Sequence, residues 1–98
     1  MSEAPITRTT RLRWHPDALF RNLEGEAVLL GGEVAQYYGL DPVGTRIWEL
    51  IGEQPDIDGV VRAIVKEYDI GEPQALEDLF ALVEDLVKHR LIEVVSDA

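Results

Sequence analysis

Reactive side chains are few in this chain and poorly placed for catalysis. Its two histidines, His15 and His89, stand too far apart for H-x-x-H-type metal spacing, and its only serines, Ser2 and Ser96, lie at the two ends. The absence of cysteine removes thiolate metal ligands, thiol nucleophiles, disulfides and redox switching together. No G-x-x-x-x-G-K-S/T loop or G-x-G-x-x-G turn is present to cradle phosphates. Neighbouring carboxylates occur at Glu77/Asp78 and Glu84/Asp85, but no nucleophile accompanies them, and their spacing suits a solvated helix face. His89 reads as a partner of a helix C-terminal dipole. No catalytic residue, metal site or cofactor is expected. The chemistry left to the chain is binding.

Charge narrows what can be bound. Lys and Arg number 9 against 19 Asp and Glu, a formal net charge of −10. Binding to nucleic-acid phosphates needs a basic footprint, so no nucleic-acid partner is expected. Cations gather early, at Arg8, Arg11, Arg13 and Arg21, whereas from Glu67 to Asp97 the only fixed cations are Lys88 and Arg90. Such a surface either steers a basic or neutral polypeptide towards it or serves solubility alone. No apolar run approaches the length of a membrane span, and Met1-Ser2-Glu3-Ala4-Pro5 lacks the basic and apolar regions of a signal peptide. A cytoplasmic protein with no membrane contact is expected. At 98 residues one domain over 1–98 is expected, with flexible ends at 1–8 and 96–98.

The elements that must position a binding surface follow from two periods. Thr9 to Trp14 alternates, with Leu12 and Trp14 on one face and Arg11 and Arg13 on the other, as a half-buried strand does. His15-Pro16-Asp17 stops it. Asn22 to Gly25 reads as a turn, Glu26 to Leu30 as a second strand, Gly31-Gly32 as a hairpin, and Val34 to Leu40 as a third strand. Asp41-Pro42 then starts a helix, since Asp caps free N–H groups and Pro suits the first helical position. Gly52 ends it at a C′ position. Asp56 or Asp58 opens a second helix through Val60, Val61, Ile64, Val65 and Tyr68. Gly71-Glu72-Pro73 starts a third, running to about Arg90, and Leu91 to Val95 is an apolar tail able to add a strand. The expected fold is α+β: an N-terminal three-stranded antiparallel β-meander followed by three α-helices, winged-helix-like with the wing placed first.

Two of these elements can frame a groove. On the third helix, Leu76, Phe80, Val83 and Val87 share the centre of one face at helical spacing, and this face is expected to be core. Leu79 and Leu86 lie to one side. Ala75 and Leu82 lie further round, bordered by Asp78 and His89. That widened flank either packs on the sheet or tail, or forms one wall of a groove with an acidic lip. The third strand supplies the other wall. Its Val34-Ala35-Gln36-Tyr37-Tyr38 run is β-prone and carries no charge or proline to blunt an open edge. If the tail leaves it uncovered, an extended peptide can add there as a further strand.

The stretch Arg21-Asn22-Leu23-Glu24-Gly25-Glu26-Ala27-Val28-Leu29-Leu30 comes first. With it stands Tyr37-Tyr38-Gly39-Leu40-Asp41-Pro42-Val43-Gly44-Thr45-Arg46-Ile47-Trp48-Glu49-Leu50-Ile51. Together they resemble the PqqD-like family, in which a hairpin delivers a Y-x-L-N-x-x-G-x-x-I-W-x-x-L helix start. Asp41 stands where that pattern has Asn and keeps its capping chemistry. Val60, Ile64 and Tyr68 match the V-x-x-I-x-x-x-Y helix that follows, and the likeness runs from about Leu12 to Val94.

The resemblance implies a non-catalytic RiPP recognition element, which binds the leader of a ribosomally made precursor peptide and presents it to modifying enzymes. By that resemblance the leader lies as a strand beside the third strand, in the cleft with the third helix. Val34, Ala35, Gln36, Tyr37 and Tyr38 then take the backbone role, and Ala75, Asp78, Leu79, Leu82, Asp85 and Leu86 form the helix wall. Gly44 and Trp48 match the motif as structural residues. A free-standing copy is similar to the recognition proteins of lasso-peptide clusters. Its implied partners are the precursor leader peptide, a separate leader peptidase of the transglutaminase-like protease kind, and a cyclase. Alternatives are a chaperone for the precursor of pyrroloquinoline quinone or of another RiPP pathway, and a winged-helix regulator binding DNA, which the charge opposes.

Overall fold

The computed structural model describes residues 6–31, 36–53 and 56–95. Among them the order is β1 (Arg11–Trp14), β2 (Leu19–Leu23), β3 (Glu26–Gly31), β4 (Gln36–Gly39), α1 (Pro42–Ile51), α2 (Ile57–Tyr68), α3 (Glu72–Lys88) and β5 (Ile92–Val95). The expected α+β class holds, with a meander followed by three helices. Two of its three strands, β3 and β4, are those read from the sequence, and the first is not. The antiparallel meander is β2-β3-β4, while β1 leaves it and pairs with β5 in a two-stranded sheet, from Arg11 opposite Val95 to Trp14 opposite Ile92.

The missed strand is β2, because every one of its residues is exposed and Leu19-Phe20 breaks the apolar alternation. Its pairing with β3 forms it. Glu24 and Gly25 both take positive φ, 56° and 89°, which is the backbone of a two-residue hairpin with the twist that strands need. The Asn22 side chain accepts from Gly25 N–H at 2.8 Å, so the turn is only Glu24-Gly25 and Asn22 belongs to the strand.

The helix starts follow their sequence signals. Asp41 accepts from Gly44 N–H at 2.7 Å ahead of Pro42, and Asp56 does the same for α2 from Gly59 N–H at 2.8 Å. Gly52 ends α1 with an ordinary right-handed φ of −61°, so no left-handed C′ geometry demands glycine there. Packing does: a Cβ on Gly52 would meet the Trp14 ring at 2.3 Å. Trp14 in turn stacks on Trp48 with centroids 5.1 Å apart, and its Nε1 donates to the Trp48 carbonyl at 2.9 Å. Trp48 is core, as expected.

Thr45 fixes the junction between sheet and helix. Buried in α1, its hydroxyl accepts from Ala27 N–H at 2.7 Å, which ties the first turn of α1 to β3. Arg8, ahead of β1, is also held: its carbonyl accepts from Asp58 N–H at 2.8 Å, and its guanidinium donates to Asp58 and Glu72. Arg62 and Arg8 hold the Asp58 carboxyl below its ordinary range by hydrogen bonding to it.

On α3 the expected facing is rotated. The buried residues are Ala75, Leu79, Val83 and Leu86, whereas Leu76, Phe80 and Val87 are only half-buried. Both sets repeat at helical spacing, so periodicity alone does not choose between them.

Candidate functional site: an open strand edge beside an apolar cleft

β4 is the outer strand of its sheet. Leu40 N–H donates to the Ala27 carbonyl at 2.8 Å. The antiparallel alternation then puts the polar groups of Gln36 and Tyr38 on the β3 side and turns the N–H and C=O of Tyr37 and Gly39 away from it. The sequence left open whether the tail covers this edge. It does not: β5 pairs with β1, and among the described residues no strand pairs with the outer side of β4.

Side chains of β4 alternate with the same period. Tyr37 is exposed, while Tyr38 points to α3 and its hydroxyl donates to the Asp85 carboxylate. The His89 ring meets Tyr38 edge-on at 5.4 Å between centroids. Burial first, then the hydrogen bond to Asp85, push the Tyr38 phenol up to about 12, so it stays a neutral donor at neutral pH. His89 caps α3, with Nδ1 2.8 Å from the Asp85 carbonyl, in keeping with a helix C-terminal role.

Between the end of β4, the first turns of α1 and the wall of α3 opens a cleft of about 680 Å³. Val43, Ile47, Ile70 and Leu82 give it apolar walls, and Tyr68 adds an aromatic one. Among the described residues Asp41 and Asp78 are its only charged lining residues, with no Lys or Arg. Val43 and Tyr68 remain 36% and 38% exposed, large apolar surfaces left open at the cleft. The arrangement joins unpaired backbone groups to an apolar trough, which is what an extended peptide needs.

The sequence-predicted residues separate into three sets. Gln36, Tyr37 and Tyr38 lie on the open edge; Val34 and Ala35 fall outside the described residues. Asp78 and Leu82 line the cleft, and Asp85 holds Tyr38. Ala75, Leu79 and Leu86 are buried beneath the wall and offer no surface, because α3 is rotated relative to the expected facing. Asp41, Val43, Ile47, Tyr68 and Ile70 were not read as site residues. Asp41 was read only as a helix cap and Tyr68 only as part of the second helix, and the packing of α1 against α2 gathers the five at one mouth. Gly44, expected to be structural, also lines the cleft, and a Cβ there would lie 3.1 Å from the Asp41 carboxylate and 3.4 Å from Leu40.

A match to the family described as Coenzyme PQQ synthesis protein D (PqqD) spans residues 26–92. The chain belongs to the PqqD family. The matched span of this PqqD-family chain runs from β3 into β5 and contains the open edge, the cleft and all three helices. It is also similar to a solved structure, TbiB1 in complex with the TbiA(β) leader peptide. The two agree with a TM-score of 0.79 at 32% identity, over 87% of this chain and 99% of that one. Comparison with curated protein sequences gives no match.

Proposed function

We propose that this chain is a non-catalytic recognition element for the leader of a ribosomally synthesised precursor peptide. The leader adds as a strand to the outer side of β4, taking hydrogen bonds from Tyr37 and Gly39. Alternate side chains then enter the cleft against Asp78 and Leu82. The observation that carries this reading is the uncovered β4 edge lying beside an apolar cleft. Similarity to a protein solved with a leader peptide supports it. We place the chain in lasso-peptide biosynthesis in the cytoplasm, where it hands the leader to a separate peptidase of the transglutaminase-like kind, with a cyclase acting after it. The family description favours, as a second reading, a precursor chaperone for pyrroloquinoline quinone.

Fluorescence anisotropy with labelled TbiA(β) leader and with the precursor encoded beside this chain's gene tests the proposal. Saturable binding at micromolar affinity or better, about 8 kcal/mol, is expected without any change to the peptide. Saturable binding of duplex DNA with none of either peptide would overturn it. A neighbouring gene for a transglutaminase-like protease separates the lasso reading from the quinone reading.

A further inference from the structure

We infer that the cleft at the end of β4 is a subsite for one basic side chain of the bound peptide, a Lys or Arg. Its aliphatic stem lies against Val43, Ile47 and Leu82, and its charged head reaches Asp78 and Asp41. This inference rests on the leader-recognition reading above and assigns the chemistry of one position within it.

Strand geometry selects which peptide residue enters. A peptide strand paired with the outward groups of Tyr37 and Gly39 extends the pleat of β4. Its residues opposite Leu40 and Tyr38 therefore project to the α3 side, two positions apart, while those between them project to the outer face. The residue opposite Tyr38 meets α3 beside Leu82. The one opposite Leu40 enters the cleft, since Leu40, Asp41, Val43 and Asp78 line it together.

Lining chemistry selects its type. An extended peptide laid across the cleft removes water from both carboxylates, and a purely apolar side chain leaves them uncompensated, which is costly. Among the described lining residues no cation offsets them. The Asp78 carboxylate accepts one hydrogen bond, from the Gln74 amide at 2.9 Å, and Asp41 accepts the capping N–H of Gly44, so each keeps capacity for a further donor. A long cationic side chain buries its methylenes on the apolar walls and brings its head to the acids. Tyr68, open at the mouth, adds an aromatic face that favours a cation.

Selection from a randomised library of displayed extended peptides tests the inference, using the whole chain and its Asp41→Asn/Asp78→Asn variant. Asn caps a helix as well as Asp does and keeps both short hydrogen bonds, so melting curves of the two proteins should coincide. Should that variant melt early, Asp78→Asn alone serves. The wild-type chain should enrich Lys or Arg at one fixed position, two residues from an apolar one. The variant should lose that basic preference about tenfold while keeping the apolar one. Enriched peptides without the basic preference, or a preference unchanged in the variant, would overturn the subsite and leave strand addition standing. Enrichment of no extended peptide at all would overturn both readings.

Discussion

Leu82 and Leu79 are three residues apart on α3 and have different fates. Leu82 lines the cleft, whereas Leu79 is buried in the core. Leu82→Glu should weaken leader binding by about 2 kcal/mol or more, through a lost apolar contact and a desolvated charge, with little change in melting temperature. Leu79→Ala should cost about 2–5 kcal/mol of stability as a core truncation; denaturant titration beside the binding assay checks both. The sequence put both on the wall, because two apolar stripes overlap on this helix and periodicity does not separate them. Tyr38 carries a second residue-scale prediction. Its phenol is raised from 10.0 to about 12 in the fold, so the neutral form is favoured there. The stability it contributes is complete below pH 10 and is lost as pH rises from 10 towards 12. The stability difference between wild type and Tyr38→Phe should narrow over that window, as followed by denaturation at each pH.

The element that decides the account is β4, and its openness depends on where β5 goes. A tail of apolar residues was legible at Leu91 to Val95, and so was the β-prone, uncharged run of Gln36 to Tyr38. The pairing of that tail with β1 rather than β4 was not, because both are strand-length and β-prone, and only the three helices between them fix the geometry. β2 was illegible for a related reason: a strand exposed at every residue carries no in-and-out pattern. Tyr37→Pro should abolish most leader binding, since proline removes an outward N–H and places its ring where the added strand lies. Tyr37 N–H makes no ladder bond to β3, so stability should fall by much less than for a proline at Tyr38. Calorimetric titration and thermal melts of the two variants make the comparison.

At the scale of the whole molecule the dominant fact is the net charge of −10. Charge was fully legible in the sequence, as were the three helices and the Asp41 cap; the cleft was not, since Asp41 and Val43, Tyr68, and Asp78 come from three separate places in the chain. For a leader of net positive charge, long-range attraction should act on the association rate. Raising salt from about 0.05 to about 0.5 M shortens the Debye length from about 14 Å to about 4 Å, and should slow association more than it speeds dissociation. Glu77→Lys with Glu84→Lys, both exposed and outside the cleft lining, should slow association and flatten its salt dependence while leaving dissociation nearly unchanged. Stopped-flow rates for the two proteins check this, and identical salt slopes would confine the acidic surface to a role in solubility.

Amide hydrogen exchange, read residue by residue with and without saturating leader, tests strand addition most directly. Among the described residues no strand pairs with either outer side of the meander, and its alternation turns the N–H groups of Tyr37 and Gly39 outward on β4 and those of Phe20 and Asn22 outward on β2. Leader addition should slow exchange at Tyr37 and Gly39 and leave Phe20 and Asn22 as they are in the free protein. Protection at Phe20 and Asn22 instead, or bound leader with no new protection on β4, would contradict the account.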